Sequence, residues 1–313
     1  LMKQVHDKYS FNQLISRMAE LENDKEKASA LSWSVPQSAI LRTRGDLREY
    51  LNRLNKTETQ YQERLNIVLK PVFSRFAVDI MIRPTYDAIC RSFGIIDASS
   101  SATDDEIELK GGPWVGQQYI DGQLLCSYSI VHSGQIVAHA VYFGGQYTNS
   151  GRVDGGSVYF ENANDSSDVH QFVQQFVSWK NYTGQISFDF IRCHDTGQLF
   201  PIECNPRSTS GIHLFRSVDP SQFASCFVNS NRNDQTVQRI LSPVGQNQQI
   251  AAAMVLLLTF IMPIDSIRDI TRWISKYRVA GDIMYDVTDP APAVTQFLSI
   301  LDQELFHDFQ SKV

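Results

Sequence analysis

The residues best suited to chemistry lie in one polar segment, 184–211 (GQISFDFIRCHDTGQLFPIECNPRSTSG). Asp189 lies in an alternating stretch that predicts a β-strand, and Glu203 and Asn205 lie two residues apart in a second such stretch. Between them, residues 195–197 (DTG) are typical of a turn. The segment therefore predicts a β-hairpin with oxygen-bearing side chains on both strands.

The register of this hairpin predicts a metal site. Pairing the strands about Thr196 sets Asp189 opposite Glu203, and the same register sets Ser187 opposite Asn205. Two carboxylates directly opposite repel each other unless a cation lies between them. Mg²⁺ prefers oxygen ligands, usually one or two carboxylates completed by phosphate oxygens and water. We therefore expect metal ligation by Asp189, Glu203 and Asn205.

Arg207 is the catalytic candidate of the segment. It follows Asn205 by two residues, and Pro206 stiffens the backbone between them. A guanidinium fixed near metal-bound phosphate suits stabilisation of a transferring phosphoryl group. The residues alone leave a second interpretation open, a solvated hairpin with polar edges, because Asp–Glu pairs are ordinary on exposed strands. The N-P-R sequence followed by S-T-S-G favours the site.

At this point a family resemblance becomes visible. Asp189 together with PIECNPRSTSG (201–211) resembles the last block of ATP-grasp enzymes, particularly the branch of carbamoyl-phosphate synthetase and biotin carboxylase. The resemblance implies that Asp189, Glu203 and Asn205 bind two magnesium ions. It also implies that Arg207 contacts the phosphate or an acyl phosphate.

Two further segments resemble the parts of that family that bind the ATP phosphates. IVLKPVFSRFA (67–77) resembles the strand and the loop that covers the phosphates, which makes Lys70 and Ser74 candidates for phosphate binding. HDKYSFNQL (6–14) resembles the start of the first helix, where a basic residue also reaches phosphate, and this adds Lys8. The family's phosphate loop is usually rich in glycine, whereas residues 73–77 contain none.

A fourth segment, GQQYIDG (116–122), resembles the hinge between the two ATP-grasp subdomains. The resemblance implies that the backbone around Gln118, Tyr119 and Ile120 hydrogen-bonds adenine. Many members place a glutamate two residues after the hinge glycine to hold the ribose hydroxyls, and this chain has Leu124 there. We expect the nucleotide sugar to be held differently, or nucleotide binding to be weakened.

The expected architecture is α+β. The resemblance implies an ATP-grasp fold with two α/β subdomains, whose antiparallel sheets clamp the nucleotide, and a mostly helical C-terminal region. Expected bounds are 1–117 for the N-terminal subdomain, with its phosphate loop at about 67–80, 118–216 for the C-terminal subdomain with the metal site, and 217–313 for the helical extension. The family usually carries a further domain before the region that starts here, so we expect it to be missing or supplied by a partner.

Composition argues against several classes of function. The 313 residues carry a net charge of −6 without a long basic run, which disfavours a nucleic-acid-binding face. Five scattered cysteines without a C-x-x-C pair disfavour a disulfide framework or a zinc site, and a reducing cytoplasm is the expected location. The apolar stretch 251–262 is shorter than the roughly 20 residues that span a bilayer, so we expect a buried helix and no membrane.

The resemblance to ATP-grasp enzymes implies a Mg·ATP-dependent ligase that joins a carboxylate to an amine or a related nucleophile. It would act through an acyl phosphate and release ADP and phosphate. Its cofactors would be ATP and Mg²⁺, and its partners a small-molecule or peptide carboxylate and an amine-type acceptor, with a homodimer or a missing N-terminal domain as the expected assembly. One alternative is a non-catalytic nucleotide-binding or interaction protein of the same family. Another is a metal-dependent hydrolase built on the acidic hairpin, which would leave the other three segments unexplained.

Overall fold

Two β-sheets form the framework of the chain, and helices cover both of them. The computed structural model describes residues 1–23, 31–54, 63–73, 79–95, 105–144, 159–163, 166–228, 240–243, 248–250, 271, 275, 278–295 and 298–299. Strands and helices are mixed, and the strands of both sheets are mainly antiparallel, as the α+β prediction requires.

The first sheet has four antiparallel strands in the order β1-β4-β2-β3. Its core contains Leu47 from one helix and Ile89 from another, both fully buried. The first of these helices begins after Thr43, whose hydroxyl accepts a hydrogen bond from the Asp46 N–H at 3.2 Å. The elements are β1 (Ser38–Leu41), α3 (Arg44–Arg53), β2 (Ile67–Pro71), β3 (Met81–Ile82), α4 (Tyr86–Phe93) and β4 (Trp114–Gln118).

The second sheet has seven strands in the order β11-β10-β7-β6-β5-β8-β9. All neighbouring strands are antiparallel except β10 and β11, which are parallel. The strands are β5 (Gly122–His132), β6 (Gln135–Phe143), β7 (Tyr159–Asn162), β8 (Gly184–Cys193), β9 (Leu199–Asn205), β10 (Gln248–Ile250) and β11 (Gly281–Asp282).

One face of the second sheet packs against three helices: α1 (Met2–His6), α2 (Lys8–Asn23) and α5 (Ser167–Lys180). The sequence predicts α5 from apolar residues at helical spacing, and its side chains are buried as predicted. Phe172 packs edge-on against Phe188 of β8 with ring centroids 5.4 Å apart. This aromatic layer fixes the position of β8, and α2 brings Lys8 to the edge of the same sheet.

The opposite face of the second sheet carries the polar residues of the hairpin. A 3₁₀ helix (Ser210–Ser217) and α6 (Pro220–Val228) cover part of it. Gly211 lets the 3₁₀ helix approach closely, because a Cβ there would lie 2.6 Å from Tyr128 Cβ and 2.7 Å from Tyr142 Cε1. The chain that follows Arg207 is therefore held tightly against the sheet.

The described residues of the C-terminal part are helical at 220–228 and 291–295, among others, and they also include two short strands. Its described residues contribute β10 and β11 to the edge of the second sheet, because those short strands pair there with β7 and with each other. The apolar stretch 251–262 lies outside the described residues. Among the helices that are described, none is long and apolar enough to cross a membrane. The domain bounds at residues 117 and 216 stay predictions.

Candidate active site

The β8–β9 hairpin has the predicted register where it carries the polar side chains. Asp189 pairs with Glu203, and Ser187 pairs with Asn205. Phe188 and its apolar neighbours on β8 face the opposite side and are fully buried. Since side chains opposite each other share a face, the two carboxylates and the amide converge on one surface of the sheet.

A β-bulge in β9 distinguishes the observed hairpin from a regular one. The register shifts after Asp189, so that Phe190 pairs with Pro201 and Ile202 has no partner on β8. The main-chain carbonyl oxygen of Ile202 instead accepts a hydrogen bond of 3.2 Å from Lys70 Nζ. The bulge thereby links the second sheet to β2 of the first.

Lys70 lies between the two sheets and is 5% exposed. Its ammonium group also donates to Gln117 Oε1 at 3.0 Å. Burial lowers the pKa of Lys70 to about 8, Glu203 raises it, and Lys8 lowers it further. A buried cation of this kind is uncommon in a core and indicates a function for its charge.

Lys8 is a second buried cation at the same place, only 3% exposed. It begins α2, its N–H donates to the Val72 carbonyl oxygen at 3.5 Å, and its Nζ lies 4.0 Å from Glu203 Oε2. Two segments that are far apart in sequence thus place Lys8 and Lys70 beside the carboxylates of the hairpin. The arrangement therefore combines lysines, which suit phosphate, with carboxylates, which suit a metal ion.

Electrostatics show that the carboxylate pair is unfavourable by itself. Burial raises the pKa of Asp189 to about 7, and the Glu203 carboxylate acts in the same direction. The Cys126 thiol, Lys70 and Arg207 lower it again. The repulsion between two carboxylates on paired residues is relieved by protonation of one of them or by a cation between them. The pair therefore suits a divalent ion.

The donor set on this surface is hard oxygen: two carboxylates and the amide of Asn205. Among the residues that the structure describes, no three His, Cys, Asp or Glu side chains form a metal-ligand cluster. A bound ion would therefore need phosphate oxygens and water to complete its shell, which is the usual mode for Mg²⁺. The amide oxygen of Asn205 also accepts a hydrogen bond from Arg207 Nη2 at 3.1 Å, so the metal would share that oxygen with the guanidinium.

Arg207 is exposed at the end of β9. Its other terminal nitrogen, Nη1, donates to the Ser208 carbonyl oxygen at 3.1 Å. These bonds hold the exposed guanidinium beside Asn205. The structure thus brings together Lys8, Lys70, Asp189, Glu203, Asn205 and Arg207.

The predicted adenine hinge follows β4. The N–H of Gln118 donates to the Gln37 carbonyl oxygen at 2.8 Å, and the N–H of Tyr119 donates to the Asn66 carbonyl oxygen at 3.1 Å. Ile120 is buried, and the Arg83 guanidinium lies 5.2 Å from the Tyr119 ring centroid. Because two of the backbone N–H groups are engaged in this way, adenine recognition at the hinge stays a prediction. Ser74 lies outside the described residues.

Sequence reasoning missed three side chains that contact the site residues. Gln117 accepts a hydrogen bond from Lys70. It belongs to the segment that resembles the hinge, and alternation along β4 could have indicated which way its side chain points. Cys126 and Tyr142 lie beside Asp189 across β5 and β6. Nothing local in the sequence indicates these two, because they depend on how distant strands pair.

Comparisons with known proteins identify the fold. The sequence matches no known family profile and no curated protein. The structure is similar to the biotin carboxylase domain of Hydrogenobacter thermophilus 2-oxoglutarate carboxylase, with a TM-score of 0.55 and 11% identity over 80% of this chain and 50% of that one. It is also similar to Staphylococcus aureus N5-carboxyaminoimidazole synthetase, with a TM-score of 0.52 and 11% identity over 83% and 60% of the two chains.

A third solved structure, phosphoribosylamine–glycine ligase from Thermotoga maritima, has a TM-score of 0.52 and 12% identity over 78% of this chain and 58% of that one. The chain thus spans about half the length of the structures that it matches. The identities show the fold alone. The two mainly antiparallel sheets, the helices and these likenesses together establish that the chain has the ATP-grasp fold.

Proposed function

We propose that this chain is the nucleotide-binding and catalytic part of a Mg·ATP-dependent ligase. It would join a carboxylate to an amine or a related nucleophile through an acyl phosphate. One observation carries the proposal: two buried lysines from separate segments, Lys8 and Lys70, converge on the Asp189–Glu203 pair. Solved structures with this fold include a ligase and a complex with MgADP and bicarbonate, which supports the same chemistry.

The proposal gives a role to each group. Lys8 and Lys70 would neutralise ATP phosphates, and Arg207 would stabilise charge on the transferring γ-phosphoryl group; their positions beside Glu203, Ile202 and Asn205 support these roles. Bound magnesium would offset the negative charge of the phosphates. Asp189, Glu203 and Asn205 would hold it.

The proposed reaction has two steps. A carboxylate oxygen of the substrate bonds to the γ-phosphorus as the bond to the β–γ bridging oxygen breaks, giving an acyl phosphate and ADP. The amine nitrogen then bonds to the acyl carbon, phosphate leaves and a proton is released. The protein's contribution is positioning and charge neutralisation.

Isothermal titration calorimetry with MgATP tests the proposal on the full chain and on the full chain joined to any preceding domain. Wild-type protein should bind MgATP, and Glu203→Gln should lose at least about tenfold in affinity, because this carboxylate would be a metal ligand. The control is Glu106→Gln, an exposed glutamate away from the site. Absence of MgATP binding by wild-type protein in both forms would overturn the proposal.

Leu124 favours a second candidate, a nucleotide-binding protein without turnover. It is a half-buried apolar side chain on the sheet surface beside the hinge, opposite Ile191. ADP release in the presence of carboxylate and amine acceptors separates the two functions, since the second predicts binding without ADP release.

All five cysteines are free thiols, which agrees with the cytoplasmic location that we propose. A homodimer or an additional N-terminal domain is the assembly that we propose for the complete enzyme.

A further inference from the structure

Residues 205–209 form a tight turn that presents Arg207 at the end of β9. The Arg207 N–H donates to the Asn205 carbonyl oxygen at 2.8 Å, which closes a three-residue turn around Pro206. The guanidinium of Arg207 bonds to Asn205 and to the Ser208 carbonyl oxygen within the same turn. The position of the guanidinium therefore depends on how the turn is attached to the sheet.

Ser187 attaches this turn to β8 at both of its ends. It lies directly opposite Asn205, where the turn begins. Its hydroxyl oxygen lies 2.9 Å from Thr209 Oγ1, where the turn ends, and 3.4 Å from the Arg207 carbonyl oxygen. Ser187 is 1% exposed, so water competes little for these contacts.

Each hydroxyl has one proton to donate, and this sets the direction of the two bonds. A carbonyl oxygen only accepts, so the Ser187 O–H donates to Arg207. The Ser187 oxygen then accepts from the Thr209 O–H, and this is the shorter bond of the two. Loss of the Thr209 hydroxyl removes one of these bonds, and loss of the Ser187 hydroxyl removes both.

Thr209 is used differently from an ordinary helix cap. It is the N-cap residue of the 3₁₀ helix, where a threonine usually accepts a hydrogen bond from a backbone N–H, but its side chain makes no such bond. The helix is held to the sheet separately, through the close approach of Gly211 to Tyr128. The bond between Thr209 and Ser187 therefore acts on the turn that carries Arg207.

We propose that Ser187 and Thr209 are positioning residues that hold Arg207 where it contacts the γ-phosphate of ATP. This inference rests on the proposed function, in which Arg207 stabilises charge on that phosphate. An exposed arginine loses conformational freedom when it binds a ligand, and a turn that is already attached to the sheet has less freedom to lose. Since both hydroxyls act through Arg207, they matter for ATP and not for ADP, which lacks the γ-phosphate.

Variants of the full chain, alone and joined to any preceding domain, test the inference. Thr209→Val removes one hydroxyl at nearly the same volume, Thr209→Ser keeps it, and Ser187→Ala removes the other. Arg207→Gln, alone and combined with Thr209→Val, shows whether the effect passes through the guanidinium. Thr196→Val is the matched control, because that hydroxyl accepts a hydrogen bond from the Gln198 N–H at the exposed hairpin turn.

Calorimetry measures the affinity of each variant for MgATP and for MgADP, and thermal unfolding gives its melting temperature. Arg207→Gln should weaken MgATP binding at least about tenfold and leave MgADP binding unchanged. Thr209→Val and Ser187→Ala should each weaken MgATP binding alone, by about three- to tenfold. Thr209→Ser should restore it, and Thr209→Val should add little in the Arg207→Gln protein. A purely structural role would lower the melting temperature and weaken the binding of both nucleotides alike.

A folded Thr209→Val protein that keeps the wild-type preference for MgATP over MgADP overturns the inference and leaves the proposed function standing. If Thr209→Val does not fold, the same result in Ser187→Ala overturns it. Equal binding of MgATP and MgADP by the wild type would overturn it too, because Arg207 would then not contact the γ-phosphate. No MgATP binding by the wild type in either form would overturn both the inference and the proposed function.

Discussion

Lys70 Nζ donates a hydrogen bond of 3.2 Å to the carbonyl oxygen of Ile202, the residue that the β-bulge leaves without a partner. The bulge therefore has a use in the site: it frees a backbone acceptor for a lysine of the other sheet. The same lysine is bound by Gln117. Its charge is held by these dipoles and by nearby carboxylates rather than by water, and in the proposed function it would bind phosphate from this position.

Replacement of Lys70 by methionine should reduce nucleotide binding much more than stability. Burial lowers the pKa of Lys70 to about 8, so removing the charge relieves a desolvation cost. The loss of two hydrogen bonds opposes that gain, and we expect the free energy of unfolding to change by no more than about 1 kcal/mol. MgATP affinity should fall at least about tenfold, because the phosphate loses a charged partner.

Calorimetry and urea unfolding check both parts of this prediction. Lys110→Met, at an exposed lysine, is the control and should change neither quantity. A Lys70→Met protein that binds MgATP as tightly as the wild type would contradict the role of this lysine.

Asp189→Asn should stabilise the protein in the absence of metal. Burial and Glu203 raise the pKa of Asp189 to about 7, so folding is favoured when this carboxyl is neutral. The neutral carboxyl contributes its full stability below pH 3.8, the pKa in the unfolded chain, and this contribution is lost as pH rises toward 7. At pH 7.5 the amide removes that loss, and we expect a gain on the order of 1 kcal/mol.

Thermal unfolding at pH 7.5 with EDTA, and again with Mg²⁺ and ATP, measures this effect. The variant should melt above the wild type in EDTA, and magnesium with ATP should no longer raise its melting temperature. Asp195→Asn, at the exposed turn of the same hairpin, is the control. A lower melting temperature of Asp189→Asn in EDTA would refute the prediction.

Much of the hairpin could be predicted because its information is local. Alternation places Phe188 in the core and Asp189 on the opposite face, and a slip by one residue would turn the carboxylate into the apolar core. Gly197 takes a positive φ of 69° at the turn, where glycine is favoured. These two constraints fix the pairing of Asp189 with Glu203.

The rest of the site depends on contacts between distant segments. Cys126 lies beside Asp189 only because β5 pairs with β8 as well as with its hairpin partner β6. Alternation shows which face a residue occupies but not which strand lies next to it. The bulge at Ile202 likewise depends on how β9 pairs with β8 and is not visible in the alternation of the sequence.

His139 should make the protein sensitive to mild acid. It is buried on the face of β6 toward α5, where its Nδ1 lies 2.9 Å from Ser129 Oγ and its ring centroid 5.0 Å from that of His170. Burial, and then His170, lower the pKa of His139 to about 3. The neutral form stabilises the fold fully above pH 6.5, its pKa when unfolded, and that stability is lost as pH falls toward 3.

We expect this histidine to cost about 2 kcal/mol of stability at pH 5 relative to pH 7.5. Urea unfolding at the two pH values, compared between the wild type and His139→Gln, isolates its contribution. The variant should show a smaller decrease between the two pH values. His194→Gln, at an exposed histidine, is the control, and an equal decrease in wild type and His139→Gln would exclude the effect.

Leu124→Glu tests how the nucleotide would lie on the sheet. The resemblance places a ribose-binding glutamate at this position, and Leu124 lies half-buried on β5 opposite Ile191, next to the hinge. An added carboxylate there would accept hydrogen bonds from both ribose hydroxyls, each a charge-assisted contact. The variant should bind MgATP more tightly and should prefer ATP to 2′-deoxy-ATP by about tenfold, a difference of roughly 1.4 kcal/mol.

The wild type, with an apolar side chain at this position, should bind the two nucleotides with similar affinity. Leu124→Met keeps the position apolar and is the matched control, which should behave as the wild type. Competition calorimetry with ATP and 2′-deoxy-ATP provides the measurement. If Leu124→Glu gains no preference for the ribose while still binding MgATP, the sugar does not lie beside β5, and the orientation proposed for the nucleotide is wrong even though the metal site stands.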